Sequence, residues 1–164
     1  MKKLVAFLIS SIFSICSHLN AQKILLKIAS ITDPAGEEVR AVDFKVDAVT
    51  TWASGGGVSV GAPKVHDILI KKTNNTSTNA IYKKLLQGAI TPIVILEYYD
   101  ASNLLYFQIT LKSVYVSNFY WLSPECPTCL KLEHQIAFVP KQVETYDVAS
   151  GITVGFDVTT RLTY

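Results

Sequence analysis

Two cysteines separated by two residues are the part of this sequence best suited to chemistry. Cys126 and Cys129 lie in SPECPTCLK, a proline-containing segment between two predicted strands. Redox enzymes place this spacing at a helix N-terminus, where the helix dipole lowers the pKa of the thiol. No helical pattern flanks these cysteines, so a redox site is not indicated. Because the N-terminal pattern described below predicts export, we predict a local disulfide between Cys126 and Cys129 that constrains the loop.

Other residues that could act in a reaction or hold a metal are few after residue 21. Zinc needs four ligands, and the candidates besides the two cysteines are His66 and His134. His66 is followed by Asp67, and His134 follows Glu133, but neighbouring residues in a strand point to opposite faces. The glycine run at 55–57 lacks the Lys-Ser/Thr of a phosphate-binding loop. We therefore predict no catalytic residue, no metal site and no cofactor.

The first 21 residues have the pattern of a secretory signal peptide. Lys2 and Lys3 precede the apolar run LVAFLISSIFSIC, and Ala21 is a small residue at the expected cleavage point. Removing residues 1–21 leaves 15 − 2 = 13 basic residues against 13 acidic ones, so the formal net charge falls from +2 to 0. We predict a bacterial protein exported to the periplasm or outside the cell, with no membrane span after cleavage and no field that attracts nucleic acid.

Alternation of apolar and polar residues runs through most of the remaining 164 − 21 = 143 residues, which suit a single domain over 22–164. The predicted strand segments are Ile24 to Ile31, Val39 to Trp52, Pro92 to Tyr99, Leu104 to Trp121, Lys131 to Val148, and Ile152 to Tyr164. Together with KVHDILIKK they give about seven strands separated by turn signals. This pattern predicts a mainly β barrel or sandwich.

One segment, TNNTSTNAIYKKLLQG, departs from the strand pattern. The hydroxyl of Thr76, Ser77 or Thr78 can accept from the unpaired amides of a first helical turn. Gly88 is suited to end the helix. We predict one short amphipathic helix at about residues 77–88 that covers an open end of a barrel.

Several sequence segments resemble, in their order and residue patterns, those of one known family, Hcp, the tube-forming protein of type VI secretion systems. The pieces are VHDILIKK, the helix closing on LLQG, YFQITLKSVYVSNF, LEHQIAFVPKQVETY and GFDVTTR. They extend over nearly the whole chain after residue 21. The resemblance implies an Hcp-like mixed β-barrel with one helix, and a non-enzymatic structural protein that assembles with itself into rings of six. The resemblance further implies that such rings can stack into a hollow tube and that its lumen can carry a passenger protein.

The resemblance also implies an inter-subunit contact by the glycine-rich segment that follows Trp52. The residues of this predicted contact are Ser54, Gly55, Gly56, Gly57, Val58, Ser59 and Val60. The aromatic cluster Phe119, Tyr120 and Trp121 is a further candidate contact surface, because it ends a strand beside the cysteine segment.

The signal peptide separates this chain from tube subunits that act from the cytoplasm, so we predict an exported relative of the family. Two alternatives stay open. One is a monomeric secreted barrel that binds a partner through the region from Trp121 to Cys129. The other is a thiol oxidoreductase that uses Cys126 and Cys129.

Overall fold

The structure is a computed structural model that describes residues 22–48, 50–52, 58–122 and 132–164. In chain order its strands are β1 (Lys23–Ile28), β2 (Glu37–Val39), β3 (Ala41–Asp43), β4 (Val46–Asp47), β5 (Thr50–Trp52), β6 (Val58–Val60), β7 (Lys64–Val65), β8 (Ile68–Thr73), β9 (Thr91–Tyr99), β10 (Leu105–Leu122), β11 (Glu133–Asp147), β12 (Ile152–Asp157) and β13 (Leu162–Thr163). The helix α1 is Thr78–Gln87. The predicted mainly β fold with one short helix is confirmed. In the described part of the chain, no helix is long and apolar enough to cross a membrane.

The strand pairings follow a circuit around one apolar core. β1 pairs with β9, β9 with β10, β10 with β11, and β11 with β8, all antiparallel. Residues 37–43 link the two ends of this series, because β2 pairs with β1 and β3 pairs with β8. Only Arg40 separates β2 from β3, and its N–H donates to the carbonyl oxygen of Lys71 at 2.8 Å. The core is therefore surrounded by paired strands, which leaves few free edges.

The core is built from alternate residues of these strands. Its most buried members are Leu26, Ile28, Ile68, Ile70, Val94, Leu96, Ile109, Leu111, Val114, Ile136 and Phe138. The helix adds Ile81, and Leu85 packs against the same cluster. Burying each large apolar side chain contributes about 1.5–3 kcal/mol, so this cluster is the main stabilising element. Three polar residues, Lys72, Thr78 and His134, are also 0% exposed.

Helix α1 begins and ends close to the predicted positions. Gly88 follows it with a φ of 58°, the left-handed conformation that glycine adopts without strain. The N–H of Gly88 donates to the carbonyl oxygen of Leu85 at 3.0 Å, which closes the last turn. The prediction that a hydroxyl at the helix start accepts a hydrogen bond from a first-turn amide is wrong for the N-cap residue. Ser77 is the N-cap residue, but its side chain makes no capping hydrogen bond, because Lys72 and Glu37 engage the hydroxyl.

The ribbon of β10 and β11 is the longest feature of the fold. β10 has 18 residues, and a fully extended strand of that length spans about 60 Å. β11 pairs with β8 along its first part and with β12 along its last part. β9 covers β10 as far as Val114, and α1 packs beside the remaining part of β10. The ribbon therefore joins the helix end of the molecule to the turns at 100–104 and 148–151.

Strands β4 to β7 pair with one another as a hairpin, separate from the main sheet. Val46 pairs with Val65 in the β4–β7 pair, and Thr50 pairs with Val60 in the β5–β6 pair. The prediction of one continuous strand from Val39 to Trp52 is therefore wrong. The backbone changes partner three times in this stretch, from β1 to β8, then β7, then β6, and each change interrupts the strand.

Gly155 in β12 lies under the ring of Tyr164. The two residues exchange backbone hydrogen bonds of 2.9 and 3.0 Å. The Tyr164 hydroxyl donates to Glu144 Oε1 at 3.0 Å, and Lys112 Nζ donates to the same oxygen at 2.5 Å. A Cβ atom at position 155 would lie 2.3 Å from Cε2 of Tyr164. This position therefore holds glycine because the ring approaches the backbone closely.

The change Gly155→Ala should displace the Tyr164 ring and lower the free energy of unfolding by about 1–2 kcal/mol, a typical effect of overpacking. Urea denaturation followed by circular dichroism measures the change. In a Tyr164→Ala background the same glycine substitution should have almost no effect. A full loss in that background would show that the backbone, and not the ring, requires glycine.

Candidate functional site

A buried cluster of charged and polar side chains lies at the N-terminus of α1. Lys72 is 0% exposed, and its Nζ donates to Glu37 Oε2 at 2.5 Å, Asn75 Oδ1 at 2.7 Å and Ser77 Oγ at 2.7 Å. These three bonds use all three protons of the ammonium group. The Ser77 hydroxyl donates in turn to the same Glu37 oxygen. The cluster thus attaches the helix start to β2 and β8.

The two charges of this cluster shift each other's pKa values. Burial lowers the pKa of Lys72 below its usual value, although the hydrogen bond to Glu37 opposes this shift. Burial alone would raise the pKa of Glu37, but hydrogen bonds from Lys72, Ser77 and Asn75 outweigh burial and lower it. Lys72 and Glu37 thus form an ion pair in the interior of the protein. A polar cleft of about 650 Å³ opens beside it, lined by residues that include Glu37, Arg40 and Asn75.

His134 lies next to this cluster between aromatic rings. Its imidazole stacks on Phe119 with ring centroids 4.9 Å apart and an angle of 11°, and the Trp121 ring is 5.8 Å away. His134 is fully buried, and neither ring nitrogen has a hydrogen-bond partner among the residues that the structure describes. Burial, with a further contribution from the positive charge of Lys72, lowers its pKa to about 4. His134 is therefore a neutral, packed ring near neutral pH.

Neither histidine bonds to the acidic residue beside it in the sequence: Asp67 accepts from the Ser117 hydroxyl, and Glu133 and His66 have other partners. Glu133 forms an ion pair with Arg40, while His134 faces the core. His66 Nε2 lies 2.9 Å from Asp47 Oδ2. Among the residues that the structure describes, no group of histidine, cysteine, aspartate and glutamate side chains is arranged to hold a metal ion.

The predicted aromatic contact surface is divided by the fold. Phe119 is half-buried, because its ring contacts Tyr82 of the helix at a centroid distance of 5.2 Å. Tyr120 is 56% exposed and Trp121 is 48% exposed. Tyr120 and Trp121 are therefore the accessible part of this surface, and their contact role stays a prediction.

The other predicted site residues fall mostly outside the described residues. Cys126 and Cys129 are among these, as are Ser54, Gly55, Gly56 and Gly57. Val58–Val60 form β6, which pairs with β5, so this part of the predicted contact loop is a strand. The disulfide and the inter-subunit contact stay predictions.

Comparison with known proteins places this fold in a family. The sequence model of the family described as "Type VI secretion system effector, Hcp" matches residues 35–146, which is more than half of the chain. Among curated proteins, no sequence matches this chain.

Several solved structures share the fold over most of their length. A type six secretion system protein superposes with a TM-score of 0.76 at 17% identity, covering 88% of this chain and 100% of that one. Hcp1 from Salmonella typhimurium gives 0.72 at 20% identity, covering 88% and 99%. The secreted protein Hcp3 from Pseudomonas aeruginosa gives 0.57 at 11% identity, covering 84% and 99%.

The sequence pieces that suggested Hcp are thus found in a chain with the Hcp fold. The match of the family model extends from the turn before β2 to the end of β11, so it includes the helix, the hairpin and the long ribbon. The chain belongs to the Hcp family of type VI secretion system proteins.

Proposed function

We propose that this chain is an exported Hcp-family subunit that assembles with itself into rings, with a structural and not an enzymatic role. The proposal rests on the extent of the structural similarity. The superposition on a solved type six secretion system protein covers 100% of that protein and 88% of this chain. Six subunits to a ring, stacking into a tube and a passenger in the lumen belong to the same proposal.

Exposed apolar side chains support self-association. Tyr120 and Trp121 are accessible at the helix end of the ribbon, and Leu104 and Ile152 are accessible at the other end. Groups of exposed apolar residues commonly mark contact surfaces. Val58–Val60, the described part of the predicted contact segment, pair with β5 and not with the main sheet, which supports a further inter-subunit contact there.

Light scattering after size exclusion, over a wide range of concentrations, tests the assembly. We expect the mature chain to form a stable species near six times the subunit mass. Electron microscopy would then distinguish single rings from stacked tubes. A strict monomer at every concentration would contradict ring formation.

Export is the second part of the proposal. Residues 1–21 would direct export and be cleaved after Ala21, and Cys126 and Cys129 would pair in the oxidising compartment. Mass spectrometry of the native protein tests this placement directly. A chain that keeps residues 1–21 in a cytoplasmic fraction would contradict it.

The exposed Tyr120 and Trp121 also favour a second candidate function, a secreted monomer that binds another molecule through this aromatic surface. The size measurement separates the two functions. If the chain is monomeric, Trp121→Ala should abolish binding of the partner without changing the fold, since the ring is about half exposed.

A further inference from the structure

The buried cluster at the start of α1 brings an amine and a carboxamide together. Lys72 is 0% exposed, and its Nζ lies 2.7 Å from Asn75 Oδ1. A C=O bond is about 1.23 Å long, so Cγ of Asn75 lies within about 4 Å of this nitrogen. Atoms arranged to react are about 3–3.5 Å apart. A small rotation of the Asn75 amide therefore brings its carbon to the distance at which an amine attacks.

Glu37 lies beside both nitrogen atoms that such an attack involves. Its Oε2 accepts from Lys72 Nζ at 2.5 Å. The amide group of Asn75 also donates to Glu37. A carboxylate in this position can take a proton from the amine and deliver it to the amide nitrogen. Burial disfavours the charged forms of an amine and a carboxyl group, so it favours transfer of the proton from Lys72 to Glu37.

Two hydroxyl groups face the oxygen of the same carboxamide. Ser77 Oγ lies 3.0 Å from Asn75 Oδ1, and Thr78 Oγ1 lies 3.2 Å from it. Donors aimed at a carbonyl oxygen stabilise the negative charge that develops there when a nucleophile attacks. Ser77 gives its single proton to the ionised Glu37, but once Glu37 is protonated this hydroxyl is free to donate to Oδ1. The cluster thus contains a nucleophile, a proton carrier and donors for the oxyanion.

We propose that Lys72 and Asn75 react with each other to form an isopeptide bond, with Glu37 carrying the protons. Glu37 first takes a proton from the ammonium group, and the neutral Nζ attacks Cγ of Asn75. Glu37 then gives that proton to Nδ2 and takes a second one from Nζ. The Cγ–Nδ2 bond breaks, and ammonia leaves. One amine and one carboxamide become one secondary amide and one ammonia, so the step needs no oxidant and no co-reactant.

The polar cleft beside the cluster gives ammonia a way out. This cleft of about 650 Å³ is lined by residues that include Glu37 and Asn75. The amine itself is shielded from water, because Lys72 is 0% exposed. The reaction happens once in each chain, and it joins the end of β8 to the segment before α1 by a covalent bond. It does not depend on self-assembly, so it stands apart from the proposed function.

Mass spectrometry of the purified full chain, denatured and with any disulfide reduced, tests the bond. We expect a mass that is lower than the sequence mass by one ammonia. Trypsin does not cut after an acylated lysine, so digestion should release residues 72–83 as one peptide that lacks one ammonia. Fragmentation of this peptide should give no ions from breaks between Lys72 and Asn75, because the new bond holds these residues together.

Substitutions assign the reacting groups. Lys72→Arg and Asn75→Ala should keep the full mass, whereas Asn75→Asp should lose one water in place of ammonia. Glu37→Gln keeps an oxygen acceptor but cannot carry the protons, so it should form the bond on the order of 100-fold more slowly. Lys71→Arg and Asn74→Ala are the matched controls and should lose ammonia like the wild type. Circular dichroism checks that each variant is folded.

Two results would overturn the isopeptide bond. The first is a folded wild type that keeps the full sequence mass after prolonged incubation. The second is a loss of ammonia that persists in Lys72→Arg or Asn75→Ala, since it then comes from elsewhere, such as cyclisation of Gln22 at a cleaved N-terminus. Neither result bears on ring formation, which the size measurement tests separately.

Discussion

Replacing Glu37 with alanine is expected to lower the free energy of unfolding by about 3–5 kcal/mol, because it leaves the ammonium group of Lys72 buried without its counter-ion. Lys72 is fully buried, and its other partners, Asn75 and Ser77, are neutral. Urea denaturation monitored by circular dichroism measures the loss. The start of α1 should become the most exchangeable part of the helix, because the cluster attaches it to β2 and β8.

A conservative substitution and a double substitution provide the controls. Glu37→Gln keeps an oxygen acceptor for Lys72 and should be less destabilising than alanine. The double variant Glu37→Leu with Lys72→Met removes both charges, so it should be more stable than Glu37→Ala. A loss below about 1 kcal/mol for Glu37→Ala would mean that Lys72 reaches water or loses its proton at little cost.

The second large effect is a loss of stability in mild acid that arises from His134. In the unfolded chain the imidazole binds a proton near its usual pKa of 6.5, whereas in the folded protein its pKa is about 4. Between these values the unfolded state binds more protons, so the free energy of unfolding falls as the pH falls. The full shift corresponds to about 3 kcal/mol. Urea denaturation at a series of pH values measures this slope.

The variant His134→Phe should remove most of the slope between pH 6.5 and about 4, since phenylalanine keeps the stack on Phe119 but binds no proton. His66→Gln is the matched control, because it removes an imidazole elsewhere in the chain and leaves His134 in place. Asp157 acts at lower pH, because hydrogen bonds, first from Gln142 and then from the backbone of Thr160, hold its pKa at about 2. An unchanged slope in His134→Phe would contradict the assignment.

The helix was the most predictable element, and its surroundings were the least predictable. Gly88 and the polar run before Ile81 indicate both ends of α1 in the sequence alone. The role of Ser77 could not be read in this way, because a hydroxyl before a helix usually caps it. Here Lys72 and Glu37 compete for that hydroxyl, and Glu37 belongs to a distant part of the chain.

The buried polar residues did leave a signal in the sequence. Lys72 continues the inward alternation of Ile68 and Ile70, and His134 precedes the inward pair Ile136 and Phe138. Alternation predicts that both side chains face the core. Alternation cannot predict that Glu37 is the partner of Lys72. Glu37 approaches Lys72 because β3 pairs with β8, and this pairing depends on how all the strands assemble around the core.

The hairpin of strands β4 to β7 was not predicted from the sequence for a different reason. Its first half continues the apolar pattern of β2 and β3, so the pattern predicts one strand. The ends of β4 and β5 are set by changes of partner, and a pattern of residue types contains no information about partners.

The pairing of β1 has a consequence for the order in which the chain folds. Lys23 pairs with Tyr99, and every residue of β1 has a partner in β9, so β1 must wait for residues far along the sequence. Pairings between such distant segments slow folding, to times of milliseconds to seconds in β proteins. During that time the residues of β1 lack their partners in β9. A chain whose N-terminal segment pairs late stays unfolded there for longer, which is what the proposed export through a membrane would require.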